Sequence, residues 1–213
     1  MDSSFLTSTH IIVASTCLVS CVLMNNRKGK SALLFHPLTI NRHGHWHRFI
    51  SSGFIHADMM HLAINMFVLW SFGSAIEQVY YPHFLGEFST IYYLILYFGG
   101  IIVSSIPSYI RHKHDPNYAA LGASGGVSAV VFAVIIFAPW QNLYLYGIIA
   151  IPQIVAGVGY LVYSWRKDKQ ANDNVGHMAH FIGAVWGFLF TGFLNVDLLV
   201  RFAQLTLQGP SWL

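Results

Sequence analysis

Six apolar segments, each long enough to cross a lipid bilayer, constrain this chain more than any other feature. They run approximately over residues 5–24, 59–80, 88–110, 122–140, 143–165 and 175–194. A helix that crosses a hydrocarbon core of about 30 Å needs about 20 mostly apolar residues. Apolar residues make up 55% of the chain and charged residues only 9%, which is typical of an integral membrane protein. We therefore predict an all-α membrane protein, a bundle of six transmembrane helices.

The six spans occupy most of the chain, so we predict one domain over residues 1–213. The first span has no basic flank before it and no small-residue cleavage site after it, which favours a retained anchor over a signal peptide. Cys17 and Cys21 lie inside this span and are expected to act as small hydrophobic residues rather than as a disulfide.

The basic residues are concentrated in three loops that lie on one side of the membrane if the spans alternate. Ten of the eleven are Arg27, Lys28, Lys30, Arg42, Arg48, Arg111, Lys113, Arg166, Lys167 and Lys169. The positive-inside rule would place that side in the cytoplasm. The longest loop, residues 25–58, mixes bulky apolar residues with histidine and arginine and is expected to lie at the membrane surface.

Polar residues inside the spans are functional candidates, because ionisable groups are costly in lipid. The predicted spans contain His61, Asn65, Glu77, Ser124, Ser128, His177 and His180. His61 and Asn65 are four residues apart and therefore share one face of a helix.

Two stripes of small residues could bring the fourth and sixth spans together. One consists of Gly125, Ala129 and Ala133, and the other is the pair Gly183 and Gly187. Small residues let helices approach closely, and contact between these stripes would bring Ser124 near His180. A serine beside a histidine is what nucleophilic catalysis requires, although each feature alone is also explained by helix packing.

Three motifs in separate spans resemble those of the rhomboid family of intramembrane serine proteases. They are GASG at 122–125, AHFIG at 179–183, and HADMMHLAIN at 56–65. The resemblance covers nearly the whole chain, and it implies a six-helix rhomboid bundle of the minimal bacterial type. It also implies a Ser-His dyad that cleaves transmembrane segments of membrane proteins, with membrane lipids as surroundings and neither a cofactor nor nucleic acid as a partner.

The resemblance also implies a role for each matching residue. Ser124 would be the nucleophile and His180 its general base. His61 and Asn65 would stabilise the oxyanion together with the Ser124 amide, and the backbone of Gly122 would border the same pocket. His177 is expected to line the water-accessible mouth.

The chain departs from the family pattern beside the nucleophile. Some relatives have an aromatic residue four positions after the serine that stacks on the base, whereas this chain has Ser128. The support of the His180 ring is therefore expected to come from elsewhere. The family topology places the active site outside a bacterial inner membrane, against the charge rule, and we expect the family topology.

Other functions and sites remain open at this point. The chain could be a non-proteolytic relative that binds transmembrane clients, or His61 and His180 could ligate a haem. The alternating His43, His45 and His47 resemble metal ligands but have no carboxylate or cysteine nearby, so we predict no metal site.

Overall fold

The computed structural model describes residues 6–145, 148–170 and 176–210, and its architecture is helical. The helices are α1 (Ser8–Leu23), α2 (Arg27–Leu33), α3 (Pro37–His43), α4 (Arg48–Ser51), α5 (Met59–Ala75), α6 (Tyr81–Leu85), α7 (Ser89–His112), α8 (Ser124–Phe137), α9 (Gln153–Gln170), α10 (His177–Leu194) and α11 (Asp197–Gln208). Strands β1 (Asn142–Leu145) and β2 (Ile149–Pro152) form a small hairpin before α9. The all-α prediction is confirmed.

Two helical segments of the described residues are long and apolar enough to cross a membrane. One is the continuous segment Met59–His112, which contains the second and third predicted spans, and the other is His177–Leu194. Helices α1 and α8 are apolar but shorter, with 16 and 14 residues. The boundaries of the five spans other than the fifth remain predictions.

The predicted fifth span begins in the wrong place. It was expected over residues 143–165, but Asn142–Leu145 and Ile149–Pro152 pair as antiparallel strands, and α9 begins only at Gln153. Pro152 has no N–H and suits the position just before a helix. The first amides of α9 donate to the preceding loop, from Gln153 to Gln141 O and from Ile154 to Pro139 O, both at 2.9 Å. An apolar run alone does not distinguish a strand from a helix.

Helix α8 lies at the centre of the bundle. Twelve of its fourteen residues are buried, and it packs against α5, α7 and α10. Large aromatic side chains fill the space beside it, including Tyr81, Tyr93 and Tyr97. The hydroxyl of Tyr81 meets Thr191 Oγ1 at 2.7 Å, so that this buried polar group has a partner.

Glycines let α10 lie directly on the backbone of α8. A Cβ atom at Gly183 would collide with the carbonyl oxygen of Gly125, and one at Gly187 would collide with that of Ala129. Ala129 also packs on Gly100 of α7, where a Cβ atom would lie 2.7 Å from the Ala129 methyl. The two small-residue stripes therefore meet, which the sequence had offered only as a possibility.

The long first loop folds into short helices that hold the segment preceding α8. Phe35 and Ala120 exchange both backbone hydrogen bonds, at 3.0 and 2.9 Å, and the Gly122 amide donates to Ser52 O at 2.9 Å. The first loop also contacts the polar loop after α7, since His36 Nε2 lies 3.2 Å from Pro116 O. These two polar loops therefore lie at the same end of the bundle as Ser124.

Glu77, an ionisable candidate from the sequence, connects two helices. Its carboxylate accepts the amides of Ser8 and Thr9 at 2.7 and 2.8 Å, together with the Thr9 hydroxyl at 2.7 Å. These amides lie in the first turn of α1, where no intrahelical acceptor exists and where the helix dipole favours a negative charge. Glu77 therefore caps α1 and docks it against the bundle.

The contact between α8 and α10 predicts a strong effect of one methyl group. Gly187→Ala should lower the free energy of unfolding by about 1 to 3 kcal/mol, because backbone atoms of Ala129 cannot move aside as a side chain could. Gly159→Ala is the matched control, since a Cβ atom there meets nothing within 4 Å. Thermal unfolding of the purified proteins tests this, and equal stability of the two variants would contradict it.

Candidate active site

Ser124 is the first residue of α8, directly after a segment held by the first loop. The amides of Ser124, Gly125 and Gly126 lie in the first helical turn, where they have no intrahelical acceptor. The Ser124 side chain is partly exposed, whereas the residues that follow are buried. A hydroxyl at the positive end of a helix, with free amides around it, suits a site where negative charge develops.

His180 lies beside this end of α8. It is three residues before Gly183, whose contact with Gly125 places the two helices in direct apposition. The His177 ring meets the His180 ring edge-on on the same helix, with centroids 6.1 Å apart. The described residues include no hydrogen bond between Ser124 and His180. Catalytic hydrogen bonds without substrate are often long and tighten when substrate binds.

Gly122 and His61 face each other across the pocket. Gly122 has a φ of 111°, which side chains rarely adopt, and a Cβ atom there would lie 2.9 Å from His61 Cε1. Asp58 caps α5 by accepting the His61 amide at 2.8 Å, which puts His61 in the first turn of that helix. The structure therefore brings these two predicted residues together.

Asn65 lies one turn further along α5 and is buried. Its Nδ2 donates to His61 O at 2.9 Å, which uses one of its two amide hydrogens. This bond leaves the second amide hydrogen unused. In this state, Asn65 therefore bonds to its own helix rather than to a neighbouring one.

His56 is a residue whose role the sequence did not reveal. Its ring is fully buried, lies 5.0 Å from the His61 ring, and accepts the Ala123 amide at Nε2 over 3.4 Å. Its Nδ1 lies 3.0 Å from Ser20 Oγ, which itself donates to Phe54 O at 2.9 Å. These bonds are satisfied together when the proton is on Nδ1, so His56 is neutral and connects α1 to the segment before Ser124.

The sequence did not indicate which aromatic ring packs against His180, and in the structure it is the ring of Tyr160 in α9. It stacks on His180 with ring centroids 5.9 Å apart and an interplanar angle of 24°. Its hydroxyl lies 3.2 Å from Ser128 Oγ, at the position where some relatives have their aromatic residue. Sequence reasoning missed Tyr160 because no local motif marks a contact between helices.

The prediction for His177 was wrong. It was expected to line an open mouth, but its side chain is only 4% exposed and meets the Tyr163 ring edge-on at 5.7 Å. Tyr163 covers it from α9, a contact that requires tertiary packing. His177 is therefore part of the interior rather than of the water path.

No group of three metal-ligating side chains is present among the described residues. The rings of His43, His45 and His47 follow one another at 5.8 and 5.6 Å in an exposed loop. They are spaced as neighbouring rings rather than converging on one point.

Comparisons with known proteins identify the family. The Rhomboid domain model matches residues 43–196, which is well over half of the chain. The chain therefore belongs to the rhomboid family, an integral membrane family with a helical bundle, as the three motifs predicted.

Three relatives illustrate the range of the family. RHOMBOID-like protein 12, mitochondrial, of Arabidopsis thaliana is 30% identical over 156 residues, which are 66% of this chain and 44% of that protein. The human Presenilin-associated rhomboid-like protein, mitochondrial, is 30% identical over 145 residues, 65% of this chain and 35% of that protein. Rhomboid protease GluP of Bacillus subtilis (strain 168) is 29% identical over 188 residues, 79% of this chain and 33% of that protein.

The chain spans less than half the length of these curated relatives. Two of the three are mitochondrial by name and one is bacterial. The relatives therefore support an integral membrane protein but give no support to a bacterial inner membrane in particular.

The buried His56 predicts a loss of stability in acid. Burial, with a smaller contribution from His61, lowers the pKa of His56 from 6.5 to about 4. Between these values the unfolded chain binds a proton that the folded chain does not, so stability should fall as the pH drops from about 6.5 to about 4. His56→Gln should flatten this dependence, because glutamine can accept the Ala123 amide and does not titrate.

The measurement is the thermal midpoint of the purified protein across that pH range. His114→Gln, in an exposed loop, is the control and should keep the wild-type slope. An unchanged slope in His56→Gln would contradict the assignment.

Proposed function

We propose that this protein is a serine endopeptidase that cleaves transmembrane segments of membrane proteins with a Ser124–His180 dyad. The observation that carries the proposal is the contact of Gly183 with Gly125, which brings the helix that bears His180 onto the helix that Ser124 begins. The family supports it, since one relative is named as a rhomboid protease.

The reaction is acyl transfer in two halves. Ser124 Oγ attacks the scissile carbonyl carbon while His180 takes its proton, and the tetrahedral intermediate collapses as His180 protonates the leaving amine. Water then hydrolyses the acyl-enzyme with His180 again as base. No carboxylate hydrogen-bonds to His180 among the described residues, so a dyad describes the site better than a triad.

The oxyanion would be held by groups that converge on the start of α8. The Ser124 amide is free of intrahelical bonds, and the His61 ring lies against Gly122. Asn65 retains one N–H, which would donate to the same oxyanion. Preorganised donors of this kind stabilise the transition state because they do not reorient during the reaction.

The bonds to the segment before Ser124 support this role. Ser52 O occupies the Gly122 amide and His56 occupies the Ala123 amide. The Ser124 amide is therefore the next donor along the chain, and its direction is set by two anchored neighbours.

A substrate helix must unwind before it can react. Its peptide groups are hydrogen-bonded within the helix, so residues that lower the cost of unwinding, such as glycine and proline, should favour cleavage near the polar end of the span. The polar loops at the Ser124 end of the bundle would let water reach the acyl-enzyme, which the surrounding lipid would exclude.

The dyad predicts a non-additive loss of activity. Ser124→Ala and His180→Ala should each abolish cleavage of a single-span substrate in proteoliposomes, and the double variant should be no worse than either one. A fluorophosphonate probe should label Ser124 in the wild type and should label neither dyad variant. His177→Ala is the control and should still cleave, with its folding checked by thermal unfolding.

Two outcomes would contradict the assignment. Activity in His180→Ala together with none in folded His177→Ala would make His177 the base. Specific binding of single-span proteins by a wild-type chain that neither cleaves them nor reacts with the probe would instead favour a non-proteolytic client-binding protein.

Substitution of Asn65 distinguishes a catalytic role of this residue from a structural one. Asn65→Ala should lower kcat by about 10- to 1000-fold if its amide holds the oxyanion. The thermal midpoint should change little, because the bond to His61 O lies within a helix whose backbone bonds remain. A large loss of stability with an equal loss of activity would mean that Asn65 is a packing residue.

A further inference from the structure

Tyr160 connects the two helices that carry the proposed dyad. Its ring stacks on His180 of α10, and its hydroxyl meets Ser128 of α8 at 3.2 Å. Ser128 is four residues after Ser124, so it lies on the same face of α8 one turn further on. One side chain of α9 therefore touches both the base and the helix of the nucleophile.

The position of this ring is set by close packing of α9 on α8. Gly157, one turn before Tyr160, lies so near α8 that a Cβ atom there would be 2.7 Å from Ile135 Cδ1 and 3.3 Å from Phe132 Cζ. Tyr160 packs in the same apolar cluster, around Phe132, Ile135 and Ala184. The ring is therefore held by packing as well as by its hydroxyl.

The His180 ring needs support of this kind. The torsion that turns a histidine ring is broad, so the ring plane is set by its surroundings rather than by the rotamer. No carboxylate fixes it among the described residues. Two rings whose centroids are 4.5 to 7 Å apart attract each other when offset, and the observed 5.9 Å lies in this range.

We propose that Tyr160 is the positioning residue of the base, and that this chain supplies from α9 the ring that some relatives supply from the helix of the nucleophile. The proposal rests on the proposed function, because it assigns His180 the role of base. Its consequence is that α9 must be docked on α8 for the dyad to be aligned. Catalysis is then sensitive to the position of a helix that carries no reacting atom.

The first test removes the ring. Tyr160→Leu should lower kcat for a single-span substrate by about 10- to 100-fold with little change in KM, and should slow fluorophosphonate labelling of Ser124 to a similar extent. Tyr160→Phe keeps the ring and loses only the contact with Ser128, so it should retain more activity than Tyr160→Leu. Tyr163→Leu is the control on the same helix, since Tyr163 contacts His177 and not His180.

The second test moves the ring to α8. Tyr160→Ala should be slow, and adding Ser128→Tyr should restore part of the rate, because the new ring enters the space that Tyr160 leaves. Ser128→Tyr alone should lower the thermal midpoint, since Ser128 is only 5% exposed and Tyr160 already fills that space. Recovery of rate by a transplanted ring is not expected of a residue that only stabilises the fold.

The outcomes separate this proposal from the proposed function. Wild-type cleavage and labelling with unchanged rates in Tyr160→Leu would overturn the role of Tyr160 and leave the dyad intact. A rate loss in Tyr160→Ala that only follows its thermal midpoint, without recovery in the double variant, would also overturn it. A wild-type protein that the probe does not label at Ser124 would instead refute the proposed function itself.

Discussion

The backbone contact between α8 and α10 is the constraint on which the site depends. In lipid there is little hydrophobic gain from bringing two apolar helices together, so close van der Waals packing must supply the attraction. Gly183 and Gly187 allow this by presenting no side chain to the carbonyl oxygens of Gly125 and Ala129. The same contact sets how far His180 lies from the start of α8, so packing and proposed chemistry share one interface.

A second set of contacts holds the segment that leads into Ser124. The first loop pairs Phe35 with Ala120, receives the Gly122 amide at Ser52 O, and places His56 against Ala123. These bonds occupy the amides before the nucleophile and let Gly122 keep its positive φ beside His61. The first loop therefore shapes the surroundings of Ser124 and is more than a connection between spans.

Helix α9 differs from the fifth span that the sequence predicted. Strands β1 and β2 lie where the expected fifth span would begin, and α9 then contacts His180 through Tyr160. The side chains of residues 167–170, at its charged end, lie outside the part of the chain that the structure describes. Helix α11, which the sequence analysis did not anticipate, packs on α8 and α10 beyond the last span.

The sequence by itself determined the membrane class and the helical bundle, and its three motifs predicted one site of Ser124, His180, His61, Asn65 and Gly122, because these inferences depend on local composition and on motifs within single segments. The contact of the small-residue stripes could also be predicted, since residue spacing sets a helix face. Only the tertiary structure decided that His177 is buried, that β1 and β2 pair, that His56 accepts the Ala123 amide, and that Tyr160 stacks on His180. Each of these depends on contacts between segments distant in the chain, which local periodicity does not encode.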